Sequence, residues 1–442
     1  MRSYPKKNAK NSKNVKKDSQ QDPKKSTKNK SIQKSQKHNH AKASASVIAP
    51  KASQIVVNNY SEEWLKKNFD IVYLKEILCK GERVQPGSEV EIISSRGHFL
   101  GKGIAGEIEN TEIDGVGVRR YSVEERRLDE AFFSARFEEA LFRRDIPEDT
   151  NAWRWVHAEN DNLSGIVVEV WGSDISIILS DASLVLWLDI FVEALLRVRP
   201  FKRVWGHVRL GEGKQEDLGL VFGEEPEERI QVQELGIQYW VTPQHSKDAG
   251  LFCDMRALRK WLQARWRYKR VLNLFCYTGA FSVSAAYHGA SEVHSVDLSA
   301  VYLERSKENF LLNGLTPEQH VFLHSDSFQA LDRYRRKNEG FDIVIADPPS
   351  FSHSAQGTWS VQKDLKRLVS ACLRVLVPGG YIIIATNHGK MSPREFSKAI
   401  QEAAQREGRR LVLMHNYCPD VDFPAALYFP EARYLKCWVM RA

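Results

Sequence analysis

Cysteine is scarce in this chain, and its spacing excludes two classes of site. The six cysteines occur singly, at Cys79, Cys253, Cys276, Cys372, Cys418 and Cys437. Because no Cys-x-x-Cys pair is present, the sequence predicts neither a zinc site nor a disulfide framework, and we expect no metal site. The compartment is expected to be reducing.

Long apolar runs are also missing. The first thirty residues lack the apolar core of a signal peptide. The longest amphipathic run, near residues 184–198, contains Asp189 and Glu193, so we do not expect it to span a membrane. A cytoplasmic protein with no membrane partner is predicted.

Acidic residues are nearly absent from the first fifty residues. This segment contains thirteen lysines and one arginine but only two acids, Asp18 and Asp22, which gives it a net charge of +12. The whole chain carries +8, so the remaining residues carry −4. Residues 1–50 are predicted to form a disordered, Lys-rich tail. The tail is either a solubilising extension or a nonspecific phosphate contact that weakens with salt.

The glycines of a dinucleotide-binding turn are incomplete. An apolar run beginning at Val271 enters a turn with one glycine, Gly279, and a helix of small residues follows over 281–288. A dehydrogenase would use three glycines to fit a pyrophosphate at the helix N-terminus. S-adenosylmethionine has no phosphate, and it needs one glycine, one acid for the ribose and one for the adenine amine.

Acids follow three consecutive predicted strands. Asp297, Asp326 and Asp347 end the second, third and fourth strands, where an open parallel sheet presents its ligands. S-adenosyl-L-methionine is therefore the predicted cofactor. The predicted cofactor-binding residues are Phe275, Tyr277, Thr278, Gly279, Ala280, Phe281, Asp297, Leu298, Ser299, Asp326, Ser327 and Asp347.

The order of apolar segments predicts an α/β fold with a Rossmann-like, doubly wound domain over residues 245–442. Its seven strands are expected near 271–275, 292–296, 320–324, 342–346, 380–385, 410–415 and 434–440, with helices between the first six. A connecting α+β domain is predicted over 131–244. Short strands cut by glycines predict a small β-barrel over 62–130, and the pattern itself gives this domain no role beyond that of a passive spacer.

Several motifs match one family in order and spacing. They are Ser246-Lys-Asp-Ala-Gly-Leu-Phe-Cys-Asp254-Met-Arg256, Asn273-Leu-Phe-Cys-Tyr-Thr-Gly279, Asp347-Pro-Pro-Ser-Phe351 and Tyr434-Leu-Lys-Cys-Trp-Val. The chain resembles the bacterial large-subunit (23S) ribosomal RNA cytosine-5 methyltransferases of the RlmI type over roughly residues 70–442. The resemblance implies a class I methyltransferase domain, a PUA-like domain over 62–130 that contacts RNA, and large-subunit ribosomal RNA as the partner. A homodimer is compatible with it.

The chain departs from that family directly after the fifth strand. Cytosine carbon 5 must be activated by a cysteine thiolate that adds to carbon 6. Asn387, in the segment Ala385-Thr-Asn-His-Gly389, occupies the position of that cysteine. Cys253 is either a remote substitute or a buried structural thiol. We therefore hypothesise that the methyl acceptor is a purine or exocyclic nitrogen, since residues 347–354 with Asn387 also resemble related large-subunit enzymes that make 7-methylguanine.

The predicted catalytic residues follow the fourth and fifth strands. They are Asp347, Pro348, Pro349, Phe351 and Asn387. Asp347 is expected to accept a hydrogen bond from a base amine, Phe351 to stack on an extracted base, and the prolines to stiffen their loop. The predicted contacts to substrate RNA are Arg119, Arg120, Asp254, Arg256 and His388. His388 and His353 are general bases or plain surface residues.

Two other classes stay open from the sequence. One is a small-molecule enzyme on the same fold, either an oxidoreductase or a metabolite methyltransferase. The other is a catalytically inactive ribosome-assembly factor that binds RNA, for which the missing cysteine is the argument. An active RNA methyltransferase is favoured because the set of three acids is complete.

Overall fold

The computed structural model describes residues 48–108, 115–210, 214–226, 229–245, 248–354 and 357–442. Val47–Ala442 forms one compact unit. The predicted tail over 1–50 lies outside the described residues, apart from 48–50. Within the described ranges, no helix has the length and apolar character needed to cross a membrane.

The N-terminal part is a six-stranded sheet with one helix. Its elements are β1 (Gln54–Val57), α1 (Asn59–Lys66), β2 (Ile71–Tyr73), β3 (Ile77–Lys80), β4 (Glu89–Ser94), β5 (Phe99–Ala105) and β6 (Val116–Ser122). The strand order is β2-β6-β5-β4-β1-β3. In β4, Val90 and Ile92 are buried between the half-exposed Glu89 and Glu91, the two-residue period of a strand with one buried face.

The middle part is a five-stranded sheet with two helices and a hairpin. Its elements are α2 (Glu130–Phe142), β7 (Ala152–His157), β8 (Ile166–Trp171), β9 (Asp174–Leu179), α3 (Leu188–Val198), β10 (Arg203–Arg209), β11 (Gln215–Phe222), β12 (Ile230–Glu234) and β13 (Ile237–Val241). We call the sheet β11-β10-β9-β8-β7 the connecting sheet. One face packs on α2 and α3 through Phe133 and Phe191, and Trp205 of the other face belongs to a core shared with the C-terminal part.

The C-terminal part is a doubly wound sheet. Its elements are α4 (Arg256–Gln263), β14 (Arg270–Leu274), α5 (Ala280–Tyr287), β15 (Glu292–Asp297), α6 (Ala300–Leu312), β16 (Val321–His324), α7 (Ser327–Arg336), β17 (Phe341–Ala346), β18 (Phe351–Ser354), β19 (Gly357–Ser360), α8 (Val361–Val375), β20 (Leu376–Thr386), α9 (Pro393–Arg406), β21 (Val412–Tyr417) and β22 (Lys436–Arg441).

The strand order of this catalytic sheet places one crevice at its centre. The order is β16-β15-β14-β17-β20-β22-β21, with β22 antiparallel to both of its neighbours. The chain reverses direction across the sheet between β14 and β17, which is the point where open α/β sheets bind ligands at their carboxyl edge. The hairpin β18–β19, which no sequence pattern predicted, is inserted between β17 and α8 and begins at Phe351, the last of the predicted catalytic residues before β20.

A long loop holds the connecting sheet over this carboxyl edge. The loop runs over 418–435, between β21 and β22, and contains the buried Asp422. The carboxylate of Asp422 accepts hydrogen bonds from the guanidinium of Arg256 and from the backbone N–H of Arg154. Because Arg154 lies on β7 and Arg256 on α4, this one buried acid ties the connecting sheet to the catalytic sheet.

Candidate active site

The turn after β14 is conformationally strained and closely packed. Phe275, Tyr277 and Gly279 all have positive φ, at 56°, 52° and 81°. A Cβ on Gly279 would lie 1.9 Å from the Oγ of Ser306, so both the backbone conformation and the close approach of α6 require glycine here. The turn leaves bare backbone facing the crevice at the start of α5.

Asp297 ends β15 and stabilises that turn. One carboxylate oxygen accepts the backbone N–H of Tyr277 at 2.9 Å, and the other accepts the N–H of Ser299, also at 2.9 Å. Each oxygen keeps a further lone pair, and a ribose diol can donate to both. Leu298 beside it is 43% exposed and offers an apolar surface.

Asp326 follows β16 and caps α7. Its Oδ1 accepts the backbone N–H groups of Phe328 at 2.9 Å and Gln329 at 3.2 Å. Its Oδ2 accepts no hydrogen bond from the residues that the structure describes, and an adenine amine can donate to that oxygen. The adjacent Ser327 is buried.

The other predicted cofactor residues have mostly structural contacts. Thr278 is buried and donates its hydroxyl to the carbonyl of Gly250 at 2.5 Å. The Tyr277 hydroxyl donates to Asp248 at 2.7 Å and accepts the N–H of Gly250 at 2.9 Å. Phe281 packs in the core, so its backbone and not its ring can face the crevice, and Ala280 is half-buried.

Asp347 follows β17 and lies at the centre of the crevice. It is half-buried, and desolvation raises the pKa of its carboxyl to about 7, with the carboxylate of Asp254 adding to the rise. Asp254 is desolvated as well, which raises its pKa, and it accepts the hydroxyl of Tyr434 at 2.7 Å. The structure therefore brings two desolvated acids together, and a positively charged group between them would relieve their repulsion.

The segment after Asp347 is held by a residue that the sequence analysis missed. The indole N–H of Trp359, on β19, donates to the carbonyl of Pro349 at 2.7 Å. The Trp359 ring also lies 6.1 Å from Phe275 and 5.9 Å from Phe328, centre to centre. No motif marked Trp359, because its contacts depend on the hairpin that folds it back over the crevice.

Asn387 lies one residue beyond β20 and faces this segment. It is exposed, and its Oδ1 accepts the hydroxyl of Ser350 at 2.8 Å, which leaves its amide N–H groups free to donate. Phe351 is 56% exposed. His388 is half-buried, and its Nε2 has no hydrogen-bond partner among the described residues. The structure does not describe the side chain of His353.

The structure corrects three of the predicted RNA contacts. Arg119, Arg120 and Arg256 are all buried, and each forms ion pairs within the protein. Arg119 pairs with Asp181 and Glu159, Arg120 with Asp70, and Arg256 with Asp420 and Asp422. Their charges are neutralised inside the fold, so they do not form a surface for phosphates.

Five of the six thiols are poorly suited to nucleophilic attack in the crevice, and the sixth, Cys79, lies on β3 of the N-terminal sheet. Cys253, Cys276, Cys372 and Cys437 are buried, and desolvation raises the pKa of each thiol, which disfavours the reactive thiolate. Cys418 is exposed but follows β21, which lies two strands away from β20 in the sheet. No group of three or more His, Cys, Asp and Glu side chains in the described ranges could hold a metal ion.

Comparison with known proteins identifies the family of the chain. Residues 214–428 match the family model of S-adenosylmethionine-dependent methyltransferases. Ribosomal RNA large subunit methyltransferase I of Aeromonas hydrophila is 31% identical over 381 residues, covering 83% of this chain and 94% of that protein. The protein of the same name from Aeromonas salmonicida is 30% identical over 380 residues, covering 83% of this chain and 94% of that protein.

Solved structures agree on the fold. A candidate S-adenosylmethionine-dependent methyltransferase from Streptococcus mutans superposes with a TM-score of 0.75 at 25% identity, covering 88% of this chain and all of that one. SMU.776, crystallised with SAH, superposes with a TM-score of 0.76 at 24% identity and the same coverage.

The fold and the crevice define an α/β, Rossmann-like methyltransferase whose cofactor is S-adenosylmethionine. The acids Asp297, Asp326 and Asp347 fit that cofactor, because it offers a ribose diol, an adenine amine and a cationic sulfonium. More particularly, the chain belongs to the methyltransferase family that contains ribosomal RNA large subunit methyltransferase I.

Proposed function

We propose that this enzyme methylates a nitrogen of a base in large-subunit (23S) ribosomal RNA, with guanine nitrogen 7 as the leading acceptor. The observation that carries the choice of acceptor atom is Asn387. It lies next to the Asp347 segment, bonded to Ser350 at 2.8 Å, where a cytosine-5 enzyme of this type has its cysteine. The choice of RNA follows from the names of the relatives.

One property of the acceptor and two features of the protein support a nitrogen acceptor over cytosine carbon 5. A ring nitrogen attacks with its own lone pair, so no thiolate is needed. The buried thiols have raised pKa values, which keep them protonated at neutral pH. The exposed Cys418 follows β21, which is separated from β20 by β22.

The acceptor side of the crevice can hold a guanine by its edge. The free amide N–H of Asn387 can donate to oxygen 6, the atom beside nitrogen 7. The carbonyl of Pro349 accepts the indole N–H of Trp359, which holds this segment in place. Phe351 exposes a ring on which an extracted base can stack.

The chemistry then requires little more than alignment and charge. The cofactor supplies an electrophilic methyl group on its sulfonium. As the nitrogen–carbon bond forms, the carbon–sulfur bond breaks and its electron pair stays on sulfur. Nitrogen 7 loses no proton, so the purine becomes cationic, and the carboxylates of Asp347 and Asp254 stabilise that charge.

A trapping experiment tests the choice of acceptor atom. RNA that contains 5-fluorocytidine captures enzymes that add a thiolate to carbon 6, as a covalent complex stable to denaturing electrophoresis. We expect no such complex with this enzyme, while labelled methyl transfers to an unmodified large-subunit RNA transcript or to reconstituted subunits. A trapped complex, or no transfer to either substrate, would contradict the proposal.

Four finer predictions stay open. The N-terminal six-stranded sheet is proposed to be PUA-like and to contact RNA. The domain limits at 62–130, 131–244 and 245–442 are proposed as in the sequence analysis. A homodimer and a cytoplasmic location are likewise predictions, which light scattering and cell fractionation would measure.

A further inference from the structure

A cleft of about 290 Å³ lies between the connecting sheet and the catalytic sheet. The wall from the catalytic part includes Gly250, Asp254 and Tyr277, which belong to the site described above. The opposite wall is part of the connecting sheet and has no role in that site so far. It is formed by Arg154, Glu169, Ile178, Arg209 and Gln215.

Arg209 is the second positive charge on this wall, beside Arg154. It ends β10, pairs in register with Gln215 of β11 and is exposed. No carboxylate of the described residues forms an ion pair with it. Partial desolvation at this solvent-contacting position and the neighbouring charge of Arg154 lower the pKa of Arg209, while Glu169 and Glu159 act in the opposite direction, so an anion there would be favourable.

Arg154 lies on the same wall but is largely neutralised. Its guanidinium pairs with Glu169 and stacks 4.5 Å above the centre of the Phe423 ring. Its Nη1 lies 3.1 Å from His157 Nδ1, and burial lowers the pKa of His157 to about 2, so that imidazole adds no charge. The charges of Arg154 and Glu169 cancel, so the charge of Arg209 makes this wall positive.

The cleft is therefore dipolar. Its connecting-sheet wall carries the charge of Arg209, whereas the opposite wall includes the acid Asp254, to which Asp347 is electrostatically coupled. A nucleotide has the same polarity, with an anionic phosphate at one end and a base that becomes cationic when a ring nitrogen is methylated. The charges of the two walls fit the two ends of one nucleotide.

We propose that Arg209, with Arg154 beside it, forms an anion-binding seat for a phosphodiester group of the RNA next to the target nucleotide. The inference rests on the proposed function and adds the connecting sheet to the substrate site. The carboxylate of the cofactor's amino acid tail is the other anion that could bind there. We favour RNA because Arg209 lies on the wall opposite the Gly250 and Tyr277 backbone.

The test compares two exposed arginines in the full-length enzyme. Arg209→Gln removes the seat, and Arg410→Gln is the matched control, since Arg410 precedes β21 at the opposite edge of the catalytic sheet. The probes are a labelled single-stranded RNA of mixed sequence, followed by anisotropy, and S-adenosylmethionine, followed by calorimetry.

For Arg209→Gln we expect RNA affinity to fall about 10-fold and the slope of log Kd against log salt to drop by about 0.7, the value for one phosphate contact on a single strand. The Kd of the cofactor and the melting temperature should equal those of Arg410→Gln. Arg209→Lys should restore most of the salt slope.

Two results would overturn the seat. In one, Arg209→Gln and Arg410→Gln bind RNA with equal affinity and equal salt slope. In the other, Arg209→Gln weakens cofactor binding and leaves RNA binding unchanged, which assigns the anion to the cofactor. Failure of the proposed function is a separate result, because wild-type enzyme would then transfer no methyl group to nitrogen, whatever the RNA affinity of the variants.

Discussion

The two halves of the carboxyl edge of the catalytic sheet hold their polar side chains in different ways. On the cofactor side, Asp297 and Asp326 each accept two backbone N–H groups, at 2.9 to 3.2 Å. On the acceptor side, Asp347 is desolvated beside Asp254, and Asn387 is bonded to Ser350 alone among the described residues. The cofactor side is fixed by backbone, and the acceptor side by side chains and burial.

This difference indicates which half can change without loss of the fold. Altering an acid that ties a strained turn together disturbs the turn itself. Altering Asn387 changes an exposed amide and one hydrogen bond. A chain can therefore keep its cofactor and acquire a different acceptor by substitutions after β20.

The largest expected effect is on cofactor binding by Asp297→Ala. Two ribose hydroxyls and two backbone N–H groups lose their acceptor, so we expect the Kd of S-adenosylmethionine to rise about 100-fold, or about 3 kcal/mol. Calorimetry measures it. The control is Asp332→Ala on α7. The carboxylate of Asp332 is half-exposed and pairs with Arg335, so its removal should leave the Kd of the cofactor unchanged. An unchanged Kd for Asp297→Ala would remove this acid from the cofactor site.

The acceptor side should respond most strongly to Asp347→Asn. We expect the rate of methyl transfer to fall about 100-fold, because a neutral amide stabilises the developing cation poorly. The wild-type kcat/KM, which reports on the free enzyme, should rise with pH through about 7, as the carboxyl ionises, and the Asn variant should lack that rise. Single-turnover rates measure the 100-fold loss and kcat/KM across this pH range measures the rise, and a variant that kept the rise would assign it to another group.

The same substitution should stabilise the cofactor-free protein. The folded-state pKa of Asp347 is raised, so its contribution to stability is fully present below the unfolded-state pKa and is lost as the pH rises through about 7. Asp347→Asn should therefore raise the unfolding free energy by about 1–3 kcal/mol near pH 8 and by nothing near pH 3. Denaturant unfolding at the two pH values would show it, and equal effects at both would contradict the burial argument.

A smaller effect is expected for Asn387→Ala. Loss of one hydrogen bond to the base should lower transfer about 10-fold, while the cofactor Kd stays unchanged. Ser350→Ala, which removes only the support of the amide, should have a smaller effect in the same direction. If Asn387→Ala instead weakened cofactor binding, the separation between the two halves would fail.

The predicted cofactor half rests on signals that are local in the sequence, and its assignment to individual residues stays a prediction. Gly279, Asp297 and Asp326 each follow a strand directly, and their contacts lie within a turn or with the neighbouring strand. The acceptor half depends on distant contacts that no local pattern encodes. Trp359 reaches Pro349 through an unpredicted hairpin, and Asp254 meets Asp347 across the sheet.

The charged residues show more clearly that contacts between distant residues cannot be predicted from the sequence. Arg119 and Arg256 were predicted to meet RNA, yet their partners Asp181 and Asp422 lie 62 and 166 residues further along the chain. A sequence reveals a charge without revealing where its counter-charge folds. Arg209 is the converse case, since only the folded cleft shows that no described acid pairs with it.

Nucleoside mass spectrometry is the most direct test of the acceptor atom. Unmodified large-subunit RNA would be treated with full-length enzyme and cofactor bearing an isotopically labelled methyl group, with Cys418→Ala run in parallel. We predict label in 7-methylguanine, or in another N-methylated nucleoside, with both proteins. Label in 5-methylcytosine, above all if Cys418→Ala abolished it, would contradict the account.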